Sequence, residues 1–188
     1  MGTITFYLVR HGEAENNVRY ILNSAGAKKE YPLTEHGRAQ VAEVAKKLAT
    51  VLADALYSSP ILRAKETAEI IAQATGLPIQ FEDRLWEVGM GKFNERSQKE
   101  LLEKYPEPQM RLSPDVADEM ESILQVRSRL DDFLDELKEK HSGQKVILVS
   151  HGDPLEQLHG ILTRVGPGQA AEGWYPAKGS CTEVVWKF

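Results

Sequence analysis

Two apolar runs, each ending in the same dipeptide, organise this chain. Ile4-Thr5-Phe6-Tyr7-Leu8-Val9, rich in aromatic and β-branched side chains, predicts a strand that runs into Arg10-His11-Gly12-Glu13. Lys145-Val146-Ile147-Leu148-Val149-Ser150 predicts a second, which runs into His151-Gly152-Asp153-Pro154. Between them the hydrophobic period becomes helical. Residues 34–48 place Val41, Ala42, Val44, Ala45 and Leu48 on one face, with Thr34 as a candidate N-cap. Ala55-Leu56-Tyr57-Ser58 reads as a short strand, and Ser59-Pro60 as a serine cap with proline at the first helical position. Ala64, Thr67, Ala68, Ile71 and Ala72 supply that helix's packing face, which Gly76-Leu77-Pro78 ends before a further short strand near residues 78–82.

After Glu87 the pattern weakens through Gly89, Gly91, Pro106, Pro108 and Pro114, so residues 88–115 read as an irregular insertion with one short helix, Gln98–Lys104. A longer helix is expected over residues 116–140, with Ile123, Val126, Leu130, Phe133, Leu134 and Leu137 as its apolar face and its charged residues on a solvated one. A helix over residues 154–162 and a strand over residues 182–188 follow. Strands alternating with helices predict an α/β fold of three layers, a central mainly parallel sheet flanked by helices.

Composition narrows the function classes. A chain of 188 residues, 41% of them hydrophobic, suits a single domain spanning residues 1–188. A net charge of −5 with dispersed basic residues argues against a nucleic-acid surface. Cys181 is the only cysteine, which excludes an intrachain disulfide framework and a cysteine metal cluster. Neither a secretory segment nor a membrane span is legible, so a cytoplasmic protein without a membrane partner is expected.

In open α/β sheets ligands bind outside the carboxyl ends of the strands. Parallel strands emerging on one side would therefore bring Arg10, His11 and His151 together around a phosphate. The ordinary alternatives are a surface charge for Arg10 and a hydrogen-bonded loop residue for His11. Gly12 suits a sharp turn or a close approach. Arg63 falls in the first turn of its helix, where its guanidinium can match phosphate oxygens or simply face solvent. Glu87 can protonate a departing oxygen or cap a turn. Asn17 can orient a phosphate oxygen or serve local turn bonding. Lys92, Arg96, Lys99 and Arg111 can read a second anionic group or act only in solubility, and Trp174 and Tyr175 can wall an entrance or anchor a loop. His36, His141 and His159 read as surface, terminus or packing residues.

Several of these segments together resemble the histidine phosphatase superfamily, the phosphoglycerate mutase-like fold. The opening block is Leu8-Val9-Arg10-His11-Gly12-Glu13 with Asn17 following, and the second is Ser58-Ser59-Pro60-Ile61-Leu62-Arg63-Ala64-Lys65-Glu66-Thr67-Ala68. Arg84-Leu85-Trp86-Glu87, Val149-Ser150-His151-Gly152-Asp153 and Gly179-Ser180 follow in order. The resemblance implies that His11 attacks phosphorus to give a phosphohistidine, its other nitrogen held by a backbone acceptor. It implies that Arg10, Arg63 and His151 clamp the phosphate with Asn17 and Gly152, and that Glu87 serves as acid and then base. No metal and no cofactor are implied.

The implied activity is metal-independent phosphomonoester hydrolysis of the histidine acid type, on a small phosphorylated metabolite, with oligomeric state left open. The alternatives are a cofactor-dependent phosphoglycerate mutase and a low-turnover phospho-ligand binding module. The family's mutases follow the acid with Arg-His-Tyr, whereas this chain has Glu87-Val88-Gly89-Met90-Gly91, which favours a phosphatase. Its Gly91-Lys92-Phe93-Asn94-Glu95 departs from the common Gly-x-Trp-Glu-Gly of family phosphatases and leaves the substrate open. A binding module would not require both nucleophile and acid, and metal-dependent hydrolysis lacks ligand spacing because His151 and His159 lie a helix length apart.

Overall fold

Successive strand residues point to opposite faces of a sheet, and the first strand of this protein buries both. A computed structural model describes residues 2–113, 116–167 and 173–188. In it β1 (Thr3–Arg10) sends Ile4, Phe6 and Leu8 into one apolar cluster and Tyr7 and Val9 into another. The chain continues through α1 (Glu15–Val18), α2 (Glu35–Leu48), β2 (Ala55–Ser58), α3 (Leu62–Thr75), β3 (Ile79–Phe81) and α4 (Gln98–Lys104). It then forms α5 (Ile123–His141), β4 (Lys145–Ser150), α6 (Gly152–Thr163) and β5 (Cys181–Lys187). The strand order is β3-β2-β4-β1-β5, parallel except for β5, which runs antiparallel to β1.

The three layers follow from the two faces. Val41, Val44, Ala45 and Leu48 of α2 and Ala64, Ala68 and Ile71 of α3 cover the Tyr7 and Val9 side. Leu130, Phe133, Leu134 and Leu137 of α5 and Leu155 and Leu158 of α6 cover the Phe6 and Leu8 side. Each fully buried Val, Leu, Ile or Phe among them stabilises the fold by roughly 1.5–3 kcal/mol relative to an exposed one. Because β4 lies between β2 and β1, it pairs with β1 in register from Thr5↔Lys145 to Arg10↔Ser150. The two His-Gly dipeptides therefore leave the sheet side by side, an adjacency their separation in sequence did not require.

Two expected helix starts move. The helix expected from residue 116 begins at Ile123, because Asp118 and Glu119 have φ values of 63° and 60°, which an α-helix does not accept. Ser122 and Gln125 form a capping box there, Ser122 Oγ accepting from the Gln125 N–H at 3.2 Å and Gln125 Oε1 from the Ser122 N–H at 2.8 Å. The Ser59-Pro60 start gives way to a helix beginning at Leu62. Ser59 Oγ accepts from the Ile61 N–H at 3.3 Å ahead of that start and also joins the cluster of buried side chains described below.

Residues after Glu87 are less regular, as expected, but they are not loose. Val88, Met90, Phe93, Leu101 and Tyr105 are buried in the cluster that contains Phe6 and Leu8. Pro114 and Asp115, the end of the expected insertion, lie outside the described residues.

Candidate active site

The register of β1 and β4 brings His11 and His151 to ring centroids 5.1 Å apart, both essentially inaccessible to solvent. The His11 N–H donates to the Ser150 carbonyl at 3.0 Å, and the His11 carbonyl accepts from the Gly179 N–H at 3.0 Å. Its ring is oriented as tightly as its backbone. Nδ1 lies 2.7 Å from the Gly12 carbonyl, which can only accept, so Nδ1 carries the proton and Nε2 the lone pair. Arg63 Nε donates to that Nε2 at 3.1 Å. Burial, then the charges of Arg63 and Arg10, push the His11 imidazole well below the usual histidine range, so it is neutral. Gly12 is required by close approach: a Cβ there would collide with the carbonyl of Gly37 in the first turn of α2.

Arg63 is buried in the first turn of α3. Nη1 donates to Asn23 Oδ1 at 2.8 Å and Nη2 to the Asn23 carbonyl at 2.9 Å, which with the His11 contact fixes the guanidinium plane. Desolvation brings its pKa down to about 10, still a cation at neutral pH. Arg10 is held by Nη1 donating to the Pro176 carbonyl at 2.7 Å and by the Tyr175 ring 5.1 Å away, while its buried Nε has no partner. Asn17 Oδ1 accepts from the Ala14 N–H at 3.1 Å, leaving its amide NH₂ as the end available to a ligand in the cavity it lines.

His151 precedes α6 and has different partners. Its Nε2 pairs with Ser59 Oγ at 2.8 Å, and its buried Nδ1 has none. Burial, with Arg63, His11 and Arg10 adding their charges, holds its pKa well below the ordinary value. Gly152 follows because the Tyr175 hydroxyl occupies the space a Cβ would take. That hydroxyl donates to Asp153 Oδ1 at 2.8 Å, and Arg111 Nη1 lies 3.4 Å from Asp153 Oδ2.

Glu87 sits on the cavity wall with its pKa pushed up to about 7. Burial is the main cause and the Asp153 charge the next, with Arg63 and Arg10 opposing. Its loop is braced from α5: Arg129 donates to the carbonyls of Arg84 and Trp86 and to both oxygens of Glu121, one of which also accepts from the Gly89 N–H at 2.9 Å. Ser150 Oγ donates to the Leu85 carbonyl at 2.7 Å and ties the same loop to β4.

A cavity of about 400 Å³ opens over these groups. Arg10, His11, Asn17, Arg63 and Glu87 all line it; His151 and Gly152 lie beneath, His151 fully buried against His11. Of the four basic residues considered for a second anion, Arg111 alone lines this cavity. Lys92, Arg96 and Lys99 are paired at the surface with Glu119, Glu100 and Glu103. Tyr175 belongs to the wall, whereas Trp174 stacks on His159 at 4.1 Å. His36 and His141 pair with Gln40 and Tyr57 away from the cavity. Sequence reasoning missed Asn23, Ser59 and Arg129. Arg129 was assigned to a solvated face, yet it falls between Val126 and Leu130, on the apolar side of α5, and that spacing was the available signal.

The sequence matches the Histidine phosphatase superfamily (branch 1) over residues 6–187. The chain belongs to this superfamily. It is 34% identical over 170 residues to Phosphoserine phosphatase 1 of Hydrogenobacter thermophilus, covering 86% of this chain and 77% of that protein. It is 33% identical over 153 residues to the probable phosphoglycerate mutase GpmB of Escherichia coli, covering 79% and 70%. Among solved structures it is similar to YhfR of Bacillus stearothermophilus, with a TM-score of 0.83 at 27% identity, covering 96% of this chain and 90% of that one. Membership makes this chain an enzyme of the histidine phosphatase kind. Among the described residues no group of three or more His, Cys, Asp or Glu side chains is placed to hold a metal ion, and no helix is long and apolar enough to cross a membrane.

Proposed function

We propose that this histidine phosphatase hydrolyses small phosphomonoesters with His11 as nucleophile and Glu87 as the proton-transfer group. The observation that carries the reading is the His11 ring: Gly12 holds the proton on Nδ1, and burial among cations keeps Nε2 unprotonated. In the first step Nε2 forms a bond to phosphorus as the ester P–O bond breaks, and Glu87 gives its proton to the departing oxygen. In the second, the Glu87 carboxylate takes a proton from water, whose oxygen attacks phosphorus and releases His11 and inorganic phosphate.

Arg63, Arg10, the Asn17 amide, His151 and the Gly152 N–H at the start of α6 hold the phosphoryl oxygens in this mechanism. Arg63 leaves His11 Nε2 for phosphate when the dianion arrives. His151 is neutral in the empty pocket chiefly because it is buried, with the arginine charges adding to that; a bound dianion offsets those charges and favours its protonated form. The residue placements also support one domain over residues 1–188, with residues 88–115 as its substrate-enclosing insertion. Met90, Gln98, Leu101, Leu102 and Arg111 all line the cavity. The histidine acid type of chemistry and a cytoplasmic setting complete the proposal, the latter open to cell fractionation.

Rapid-quench turnover with a ³²P-labelled ester tests the mechanism. A burst of acid-labile protein-bound label that disappears in His11→Ala is expected; an undiminished burst in that variant refutes His11 as nucleophile. Transfer between phosphoglycerate isomers without phosphate release would instead support a mutase, the activity named for the Escherichia coli relative.

A further inference from the structure

The phosphate end of the cavity is cationic, but the wall a leaving group would meet is of another kind. Tyr20, Ile21, Leu22, Met90, Leu101 and Leu102 line it. They are assembled from two distant stretches. The Leu22 N–H donates to the Arg96 carbonyl and the Glu95 N–H to the Leu22 carbonyl, each at 2.8 Å, while Ile21 forms a bridge with Ser97. The Gln98 N–H donates to the Tyr20 carbonyl at 2.8 Å, and Tyr20 holds φ 55°, a conformation uncommon for an aromatic residue. Tyr20 is 69% exposed, and Leu102, which shares its surface, 51%. Large apolar side chains left open beside a polar site mark a surface that something apolar covers.

Charge on this wall points the same way. The cavity's carboxylates are Glu87, which faces Arg63 and Arg10, and Asp153, against which Arg111 already lies. Lys178 is exposed, and its charge acts on His11, at the phosphate end. A second anion on the substrate would lose water to meet Asp153 and a cation already lying against it.

Resting on the phosphatase reading, we infer that the substrate is the phosphate monoester of an uncharged alcohol with an apolar body, which lies along Ile21, Leu22, Met90, Leu101 and Leu102 beneath Tyr20. Carboxylate-bearing esters such as phosphoglycerates are disfavoured by the same wall.

A ladder of n-alkyl phosphates from propyl to octyl tests this, because leaving-group basicity is nearly constant along it while apolar area grows. kcat/KM should rise with each methylene, by about fourfold at full burial, until the chain outgrows the wall. Leu102→Ser, at an exposed position that folding tolerates, should flatten the slope. Hexyl phosphate should exceed the phosphate ester of ω-hydroxyhexanoate by about tenfold or more. A flat ladder, an unchanged slope in Leu102→Ser, or preference for the carboxylate-bearing ester, phosphoserine or 3-phosphoglycerate overturns the inference while leaving the phosphatase intact. Absence of phosphate release from every ester, including p-nitrophenyl phosphate, overturns the phosphatase reading and this inference with it.

Discussion

The ends of β1 and β4 carry the same His-Gly pair, leave the sheet in the same direction and are buried to the same degree, yet they are wired differently. At β1 both ring nitrogens of His11 are engaged, one by a backbone carbonyl and one by Arg63. At β4 His151 has one nitrogen on Ser59 and the other without a partner. The following glycines differ too. Gly12 makes room for α2, whereas Gly152 makes room for the Tyr175 hydroxyl and opens α6. A repeated dipeptide thus yields a ring fixed at both nitrogens at one strand end and a ring with spare hydrogen-bonding capacity at the other. Long-range neighbours, and not the motif, make that distinction.

The comparison breaks most sharply at His11. His11→Ala should lower kcat on the order of 10⁶-fold, as loss of a nucleophile does elsewhere, and abolish the phosphoenzyme burst. Comparable phosphoenzyme formation in His11→Ala but not in His151→Ala would exchange the two roles.

Glu87→Gln should cost about 10²- to 10⁴-fold on alkyl phosphates and far less on p-nitrophenyl phosphate, whose leaving group scarcely needs a proton. The pH profile carries the sign of the same assignment. Glu87 titrates at about 7, so its acid form is present below that value, and cleavage of alkyl esters should fall as pH rises through it. His11 is pushed down, so loss of its neutral form sets a limb on the acid side, well below 6.5. Glu87→Gln should remove the basic limb alone. A basic limb that survives the substitution would belong to another group.

His151→Ala should cost about 10²- to 10³-fold in kcat, the usual loss for one donor to a developing charge, while the burst with an activated ester persists at a slower rate. Ser59→Ala should have the smallest effect. It frees His151 Nε2 without removing the ring, so a loss of about tenfold or less is expected, carried by kcat more than KM. Loss in Ser59→Ala as large as in His151→Ala would mean that the hydroxyl itself contacts substrate.

Legibility varied along the chain for physical reasons. The strand runs, the α2 face with its Thr34 cap and the short α4 were readable because local period and capping chemistry dominate there. The start of α5 was misplaced although Ser122-Ile123-Leu124-Gln125 carries the capping-box spacing, because the expected helix was extended back to residue 116. Ser59 was misread for the opposite reason: its hydroxyl keeps a local bond to the Ile61 N–H but also meets a partner 92 residues away.

By itself the sequence determined the alternation of strands and helices, the two His-Gly strand ends and, through ordered motif blocks, the superfamily and its set of candidate residues. Tertiary structure alone decided that β4 lies beside β1, that Asn23 and Gly12 fix Arg63 and the His11 tautomer, and that Arg129 braces the Glu87 loop. It also decided that residues 20–22 pair with residues 95–98, which sets Ile21 and Leu22 on one wall with Leu101 and Leu102. Hydrophobic period and capping act over a few residues and are written locally. Strand order, tautomer and a carboxyl pKa near neutrality depend on which groups are brought within a few ångströms from far along the chain.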